Sequence, residues 1–404
     1  MSSHLQAIQV TDKVWWVGAI DWSVRDFHGY LTSRGTTYNA YLILADKITL
    51  VDTVKAGFQD EMLARIRSLI DPKQIQLIIS NHSEMDHSGC LLQVADMVQP
   101  ERIYASSQGK AALDAHFHRD GRVEVVQDGQ EISLGNLKVQ FFETRMCHWP
   151  DSMVSFIEQE NLLISQDIFG MHLASSARFN DQVDPCVLDY EYAKYYANIL
   201  LPLSNFVAKA LDKLAPLLPK IKVIAPDHGP IWRGGLQSVV DRYGRWSRQE
   251  RVNQAVIVYD TMWGSTAKMA QAIGDGLSQA GTPVRLMPLS GNHRSDVATA
   301  MLDAGALLAG APTINNTMFP SLGDTLTYLR GLRPKGLVGA VFGSYGWSAE
   351  SIKDLTWMMN EMKVDLVGEG LKVKYVPDEA ALEQCRQLGQ DVAARLQQTL
   401  SAKG

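Results

Sequence analysis

The second part of the chain repeats one unit, a short apolar strand followed by a helix, and few folds accept that repeat. Strand "AVIVYD" (255–260) precedes a helical pattern over 266–280. Strand "PVRLMPL", a helix near 295–303 and strand "ALLAGAP" come next. A helix near 322–331, strand "LVGAVFG", helix "SAESIKDLTWMMNEM", strand "DLVGEGLKVKYV" and a long last helix complete the series. Successive parallel strands need a crossover, and helical crossovers cover both faces of the sheet. Five such units predict a doubly wound parallel sheet.

The first part has another rhythm. Short apolar or alternating runs such as "KVWWVGAI", "TYNAYLIL", "KITLVDT", "IQLIIS", "LKVQFFET" and "NLLISQD" read as strands. Helical patterns fall among them at 58–70 and 90–98, and a longer one covers 187–218. Strands in runs broken by helices suggest two sheets with helices outside. The polar segment "SRQERVNQ" (247–254) is the best linker, which sets domains at 1–250 and 254–404. Two cores suit 404 residues, of which 46% are hydrophobic. A net charge of −6 without a long basic run argues against nucleic acid and anionic membrane surfaces as partners. No signal peptide or membrane-length apolar run is read. Four scattered cysteines without a CxxC pair suggest a reduced, cytoplasmic protein lacking a thiolate metal site.

The stretch "SNHSEMDHSG" (80–89) follows a buried strand and sets His82, Glu84, Asp86 and His87 within six residues. Residues 82, 84 and 86 alternate while 86 and 87 point apart, so the four could serve two adjacent metals. A solvated turn with a helix N-cap at Asp86 or Ser88 is the competing reading. His148 after a strand, Asp167 at the end of another and His228 at the end of a third shift the balance. Together they offer four imidazoles and three carboxylates, enough for two metals with Asp167 between them. His28 either lines the pocket or is a satisfied, partly buried histidine, and the Tyr residues of "YYANI" (195–199) serve equally well as core.

The order H-x-E-x-D-H, distant His, Asp nineteen residues later and late His resembles the metallo-β-lactamase fold, and within it the flavodiiron protein family. The resemblance implies an N-terminal metallo-β-lactamase-like αββα sandwich followed by a flavodoxin-like doubly wound sheet. It assigns His82, Glu84 and His148 to one iron and Asp86, His87 and His228 to the other, with Asp167 shared. Most zinc hydrolases of the fold have His where this chain has Glu84. A carboxylate there favours a cation that reaches the ferric state, whereas zinc prefers nitrogen and sulfur and has no redox chemistry.

In the second part, "YDTMWGSTAKMA" lies where the first strand gives way to its helix and resembles the flavodoxin phosphate loop. It is neither a Walker loop nor G-x-G-x-x-G. Hydroxyls, a glycine and a helix start suit a phosphate held by backbone N–H groups. "GAPTINNTMFP" and "FGSYGWSAE" follow the third and fourth strands, where flavodoxins hold the isoalloxazine ring. The resemblance therefore implies FMN on Thr261, Met262, Trp263, Gly264, Ser265 and Thr266, on Pro312, Thr313, Ile314, Asn315 and Asn316, and on Ser344, Tyr345, Gly346, Trp347 and Ser348. By the same resemblance the expected enzyme reduces O2 to water, NO to N2O, or both, taking electrons through FMN from a separate rubredoxin or similar small donor. A head-to-tail homodimer or dimer of dimers is implied in the same way. The alternatives are a zinc-dependent hydrolase with a flavodoxin-like electron-carrier appendage, and an electron carrier whose metal domain is inactive.

Overall fold

The computed structural model describes residues 5–118 and 122–402. It divides into two compact units. One holds the described residues up to Tyr195 together with Asn205–Gly244, and the other holds Tyr196–Ser204 and the described residues from Arg245 on.

The first unit is built on two sheets. The larger runs in the order Ile8–Gln9, Val14–Trp16, Tyr41–Ile43, Thr49–Val51, Leu77–Ser80, Arg102–Ala105 and Val123–Val125. It is antiparallel over its first four strands and parallel over its last four. The smaller runs Glu131–Ser133, Lys138–Glu143, Met153–Ile157, Leu162–Gln166 and Val223–Pro226. Period-2 alternation sorts the side chains. Leu77 and Ile79 meet Phe141, Met153, Leu162 and Ile164 between the sheets. Ile78 turns outward to Met62, Ile66, Leu91 and Val94 beneath the helices Gln59–Arg67 and Leu91–Val98. The result is the expected αββα sandwich.

The last two strands of the smaller sheet are parallel neighbours, with Gln166 beside Pro226. Their carboxyl ends therefore release Asp167 and His228 side by side. The helical region expected over 187–218 is interrupted: a π turn at Tyr196–Leu200 and a 3-10 turn at Leu201–Leu203 separate helices Pro185–Tyr195 and Ser204–Leu214. Pro202 contributes to the break, because it has no N–H to give a continuous helix.

The second unit is a parallel sheet in the order Val284–Pro288, Val252–Tyr259, Ala304–Gly310, Val338–Tyr345, the flavodoxin-like order, with its edge position shared by two short strands. Asp365–Leu366 and Leu371–Lys374 both pair with Val338–Tyr345 in place of the single strand expected over 365–376. Gly368 and Gly370 (φ 74° and 95°) bend the chain between them into conformations other residues resist. The expected linker is also more ordered than its polarity suggests. Arg251 donates to the carbonyls of Met301, Leu302 and Lys335 (2.8–2.9 Å), and burial lowers its pKa to about 10.

Helices Ser265–Gln279 and Glu379–Ser401 cross on one face of this sheet at facing glycines. A Cβ on Gly276 would strike the Arg386 carbonyl, and one on Gly389 would strike that of Ile273. Gly276→Ala should therefore destabilise the unit by about 1–3 kcal/mol, the usual scale for overpacking. Denaturant midpoints of the two proteins measure it, and an unchanged midpoint would show that the helices separate freely.

Candidate functional site

The short helix Met85–Ser88 decides the geometry of the "SNHSEMDHSG" stretch. It turns Asp86 and His87 together rather than apart, with Asp86 Oδ2 3.2 Å from His87 Nε2. The N-cap position is held by Glu84, and its side chain makes no capping bond, so the capped-turn reading fails at Asp86 and Ser88.

Seven side chains from this stretch and from three strand ends converge in two groups, His82, Glu84, His148 and Asp167 in one and Asp86, His87 and His228 in the other. Asp167, fully buried, faces both. Its Oδ2 lies 3.2 Å from His82 Nε2 and 3.1 Å from His148 Nε2. Its Oδ1 lies 3.5 Å from His87 Nε2 and 3.6 Å from His228 Nε2. Glu84 Oε2 closes the first group at 3.1 Å from His148 Nε2, and Asp86 Oδ2 closes the second at 3.1 Å from His228 Nε2. Despite these distances, both oxygens of Asp86 and Asp167 and the Nε2 atoms of His87, His148 and His228 lack a hydrogen-bond partner among the described residues. Buried polar groups are ordinarily satisfied, and convergent lone pairs of this kind suit cations set between them.

Electrostatics agree. Burial opposes charge on Glu84 and Asp167, yet the surrounding histidines hold both carboxyls well below the ordinary range. Burial likewise opposes protonation of the imidazoles, but the carboxylates outweigh it, lifting His148 to about 9, His87 to about 10 and His82 well above its usual value.

Partners that sequence reading did not identify fix the rings. His82 Nδ1 donates to Asp151 (3.1 Å) and His228 Nδ1 to the Thr37 carbonyl (2.6 Å), which turns each Nε2 into the group, where a cation would meet it in place of a proton. Asp227 Oδ2 stands 3.7 Å from His87 Nδ1. Gln166 donates to the Cys147 carbonyl and ties the His148 loop to the Asp167 strand. His28 Nε2 donates to Glu84 Oε1 (2.9 Å), so its proton has a protein partner. Buried His172 lies behind it, and Tyr195 of "YYANI" packs its ring 5.1 Å from that of His172.

In the second unit a cleft of about 710 Å³ opens at the carboxyl ends of the strands. It is lined by Met262, Trp263, Ser265, Pro312, Thr313, Ile314, Asn315, Asn316, Ser344, Tyr345, Gly346, Trp347 and Ser348. Tyr375 joins them; its place after the edge strand gave no sequence signal. Of the remaining expected residues, Thr261 accepts from Gly264 N–H (3.1 Å), Gly264 has φ 84°, and Thr266 pairs with Ser344 (3.0 Å). These three shape the loop and do not line the cleft. Opposite, Asn315 and Asn316 form a tight left-handed turn closed by reciprocal bonds between Ile314 and Thr317. Trp263 and Trp347 are 90% and 87% exposed, two indole faces at the mouth.

Residues 36–229 match the family described as ODP family beta lactamase, and residues 257–389 match Flavodoxin. A nitric oxide reductase of Moorella thermoacetica is 43% identical over 97% of this chain and 99% of its own length. Among solved structures, the rubredoxin oxygen:oxidoreductase of Desulfovibrio gigas is 44% identical with a TM-score of 0.94, covering 98% of this chain and all of that one. The flavodiiron protein of Giardia intestinalis is 31% identical with a TM-score of 0.95, covering 99% of each chain.

The crowding of carboxylates predicts that cations stabilise the first unit. A ligand that binds only the folded state at 100 times its Kd adds about 2.7 kcal/mol. Calorimetry with and without a chelator should show a lower melting temperature for the stripped protein, and equal temperatures would contradict the cation-site reading. Because similarity at 31–44% identity runs through both units in the same order and covers nearly all of every chain compared, the protein belongs to the flavodiiron protein family.

Proposed function

We propose that this protein is a flavodiiron oxidoreductase that reduces O2 to water, NO to N2O, or both. The observation that carries the reading is Asp167, whose two oxygens each face a separate set of nitrogen and oxygen donors. The residues fit two cations. His82, Glu84 and His148 would hold one, Asp86, His87 and His228 the other, and Asp167 would bridge them. Three carboxylates among seven donors favour iron over zinc. When bound, two irons and FMN supply the electrons, four for O2 and two for joining two NO, at open coordination positions.

The chain's own groups do the positioning. Asp151 and Thr37 hold His82 and His228 in the tautomer that exposes Nε2. His28 donates its Nε2–H to Glu84 Oε1 and leaves Oε2 to the first group. In the second unit, Ser265 and the N–H groups at the start of the helix Ser265–Gln279 would receive the FMN phosphate, with Thr261, Gly264 and Thr266 setting the loop. Trp347, Tyr345 and Tyr375 offer faces for the ring.

A rubredoxin-type donor is supported by the similarity to the rubredoxin oxygen:oxidoreductase of Desulfovibrio gigas. A head-to-tail homodimer or dimer of dimers is part of the same proposal and rests on resemblance to the family alone. A cytoplasmic location fits the four free cysteines, and among the described residues no helix is long and apolar enough to cross a membrane.

Purified protein should contain two irons and one FMN per chain and consume O2 or NO when reduced anaerobically. Two zincs with ester or lactam hydrolysis, and no gas consumption, would overturn the proposal in favour of a hydrolase. Glu84→Ala should reduce iron toward one per chain and slow turnover at least about tenfold, the scale for disturbed metal sites. Elemental analysis beside gas-electrode rates checks both.

A further inference from the structure

We propose that His172 and Thr36, neither of them in the ligand sets, act through His28 to orient Glu84 and to set its strength as a donor; this rests on the diiron reading. Glu84 divides its oxygens. Oε2 faces His82 and His148 (3.3 and 3.1 Å), while Oε1 lies 2.9 Å from His28 Nε2. An ionised carboxylate only accepts, so His28 Nε2 carries the proton and His28 Nδ1 becomes an acceptor. That Nδ1 is 3.4 Å from His172 Nε2, which then donates and leaves His172 Nδ1 as an acceptor. Thr36 Oγ1, 2.8 Å away, supplies the O–H, this being shorter than its contacts with the Thr37 carbonyl (3.2 Å) and His228 Nδ1 (3.3 Å). The carboxylate at one end thus fixes the direction of every hydrogen along Thr36, His172, His28 and Glu84.

The array is built for this. His172 is 1% exposed, and a buried imidazole needs partners at both nitrogens. Rings of Phe27, Tyr30 and Tyr195 surround it at 5.1–5.5 Å and hold its plane. Without His172, His28 loses the donor that keeps its Nδ1 unprotonated. Glu84 alone then holds the ring, and the Nε2–H bond to Oε1 is weakened by the lost orientation. A hydrogen bond draws electron density from a carboxylate, so its weakening makes Glu84 the stronger donor and favours the oxidised metal.

The test uses the iron- and FMN-loaded protein with His172→Phe, His172→Gln, His28→Phe and the double variant His28→Phe/His172→Phe. FMN content and circular dichroism report folding. In His172→Phe, iron(II) should leave to a chelator about 10–100 times faster, and the diiron reduction midpoint should fall. His172→Gln, which restores an N–H, should recover most of both. Adding His172→Phe to His28→Phe should change neither, since the two act in series. Should His172→Phe not fold, Thr36→Val against Thr36→Ser makes the same comparison at the hydroxyl, with only Val lowering the midpoint. Unchanged release and midpoint in folded His172→Phe, or an undiminished effect in the His28→Phe background, overturns the relay alone. A wild-type protein that holds no iron overturns the diiron reading beneath it.

Discussion

A buried carboxylate with two unpartnered oxygens is costly to keep ionised, and Asp167 is kept ionised in the interior of the first unit. Much of the surrounding architecture bears on that cost. The parallel pairing of Leu162–Gln166 with Val223–Pro226 brings Asp167 beside His228. The loop between Lys138–Glu143 and Met153–Ile157 delivers His148, and the end of Leu77–Ser80 in the other sheet delivers the rest. Cations at this place would therefore join strand ends from both layers of the sandwich.

Much of this was legible in the sequence because it depends on periodicity and local spacing. Alternation placed Leu77–Ser80 on a strand, and the polar cluster after it could only sit at a strand end. The repeat of strand and helix in the second unit gave its sheet, and three loops in order gave its cleft. What misled was local geometry. Extended alternation suggested that Asp86 and His87 diverge, but one helical turn brings them together. Two glycines divided a strand that composition presented as continuous.

The groups behind the site were not legible, for a physical reason. Asp151, Thr37, Asp227 and His172 belong to it through contacts across the fold, and no spacing rule marks them. His172 to His28 spans 144 residues and His82 to Asp151 spans 69. A carbonyl such as that of Thr37 carries no side-chain signature at all. Only adjacency to a ligand hinted at two of them: Asp227 precedes His228, and Asp151 lies three residues after His148.

The two bare indoles at the cleft of the second unit bear on more than ring stacking. Trp263 and Trp347 stand almost fully in water, close to half-exposed Met262 and to Tyr375. Such a cluster is tolerable where a planar aromatic cofactor covers it and adhesive where none does. A planar aromatic group seated against these indoles would remove apolar surface from water as well as carry electrons.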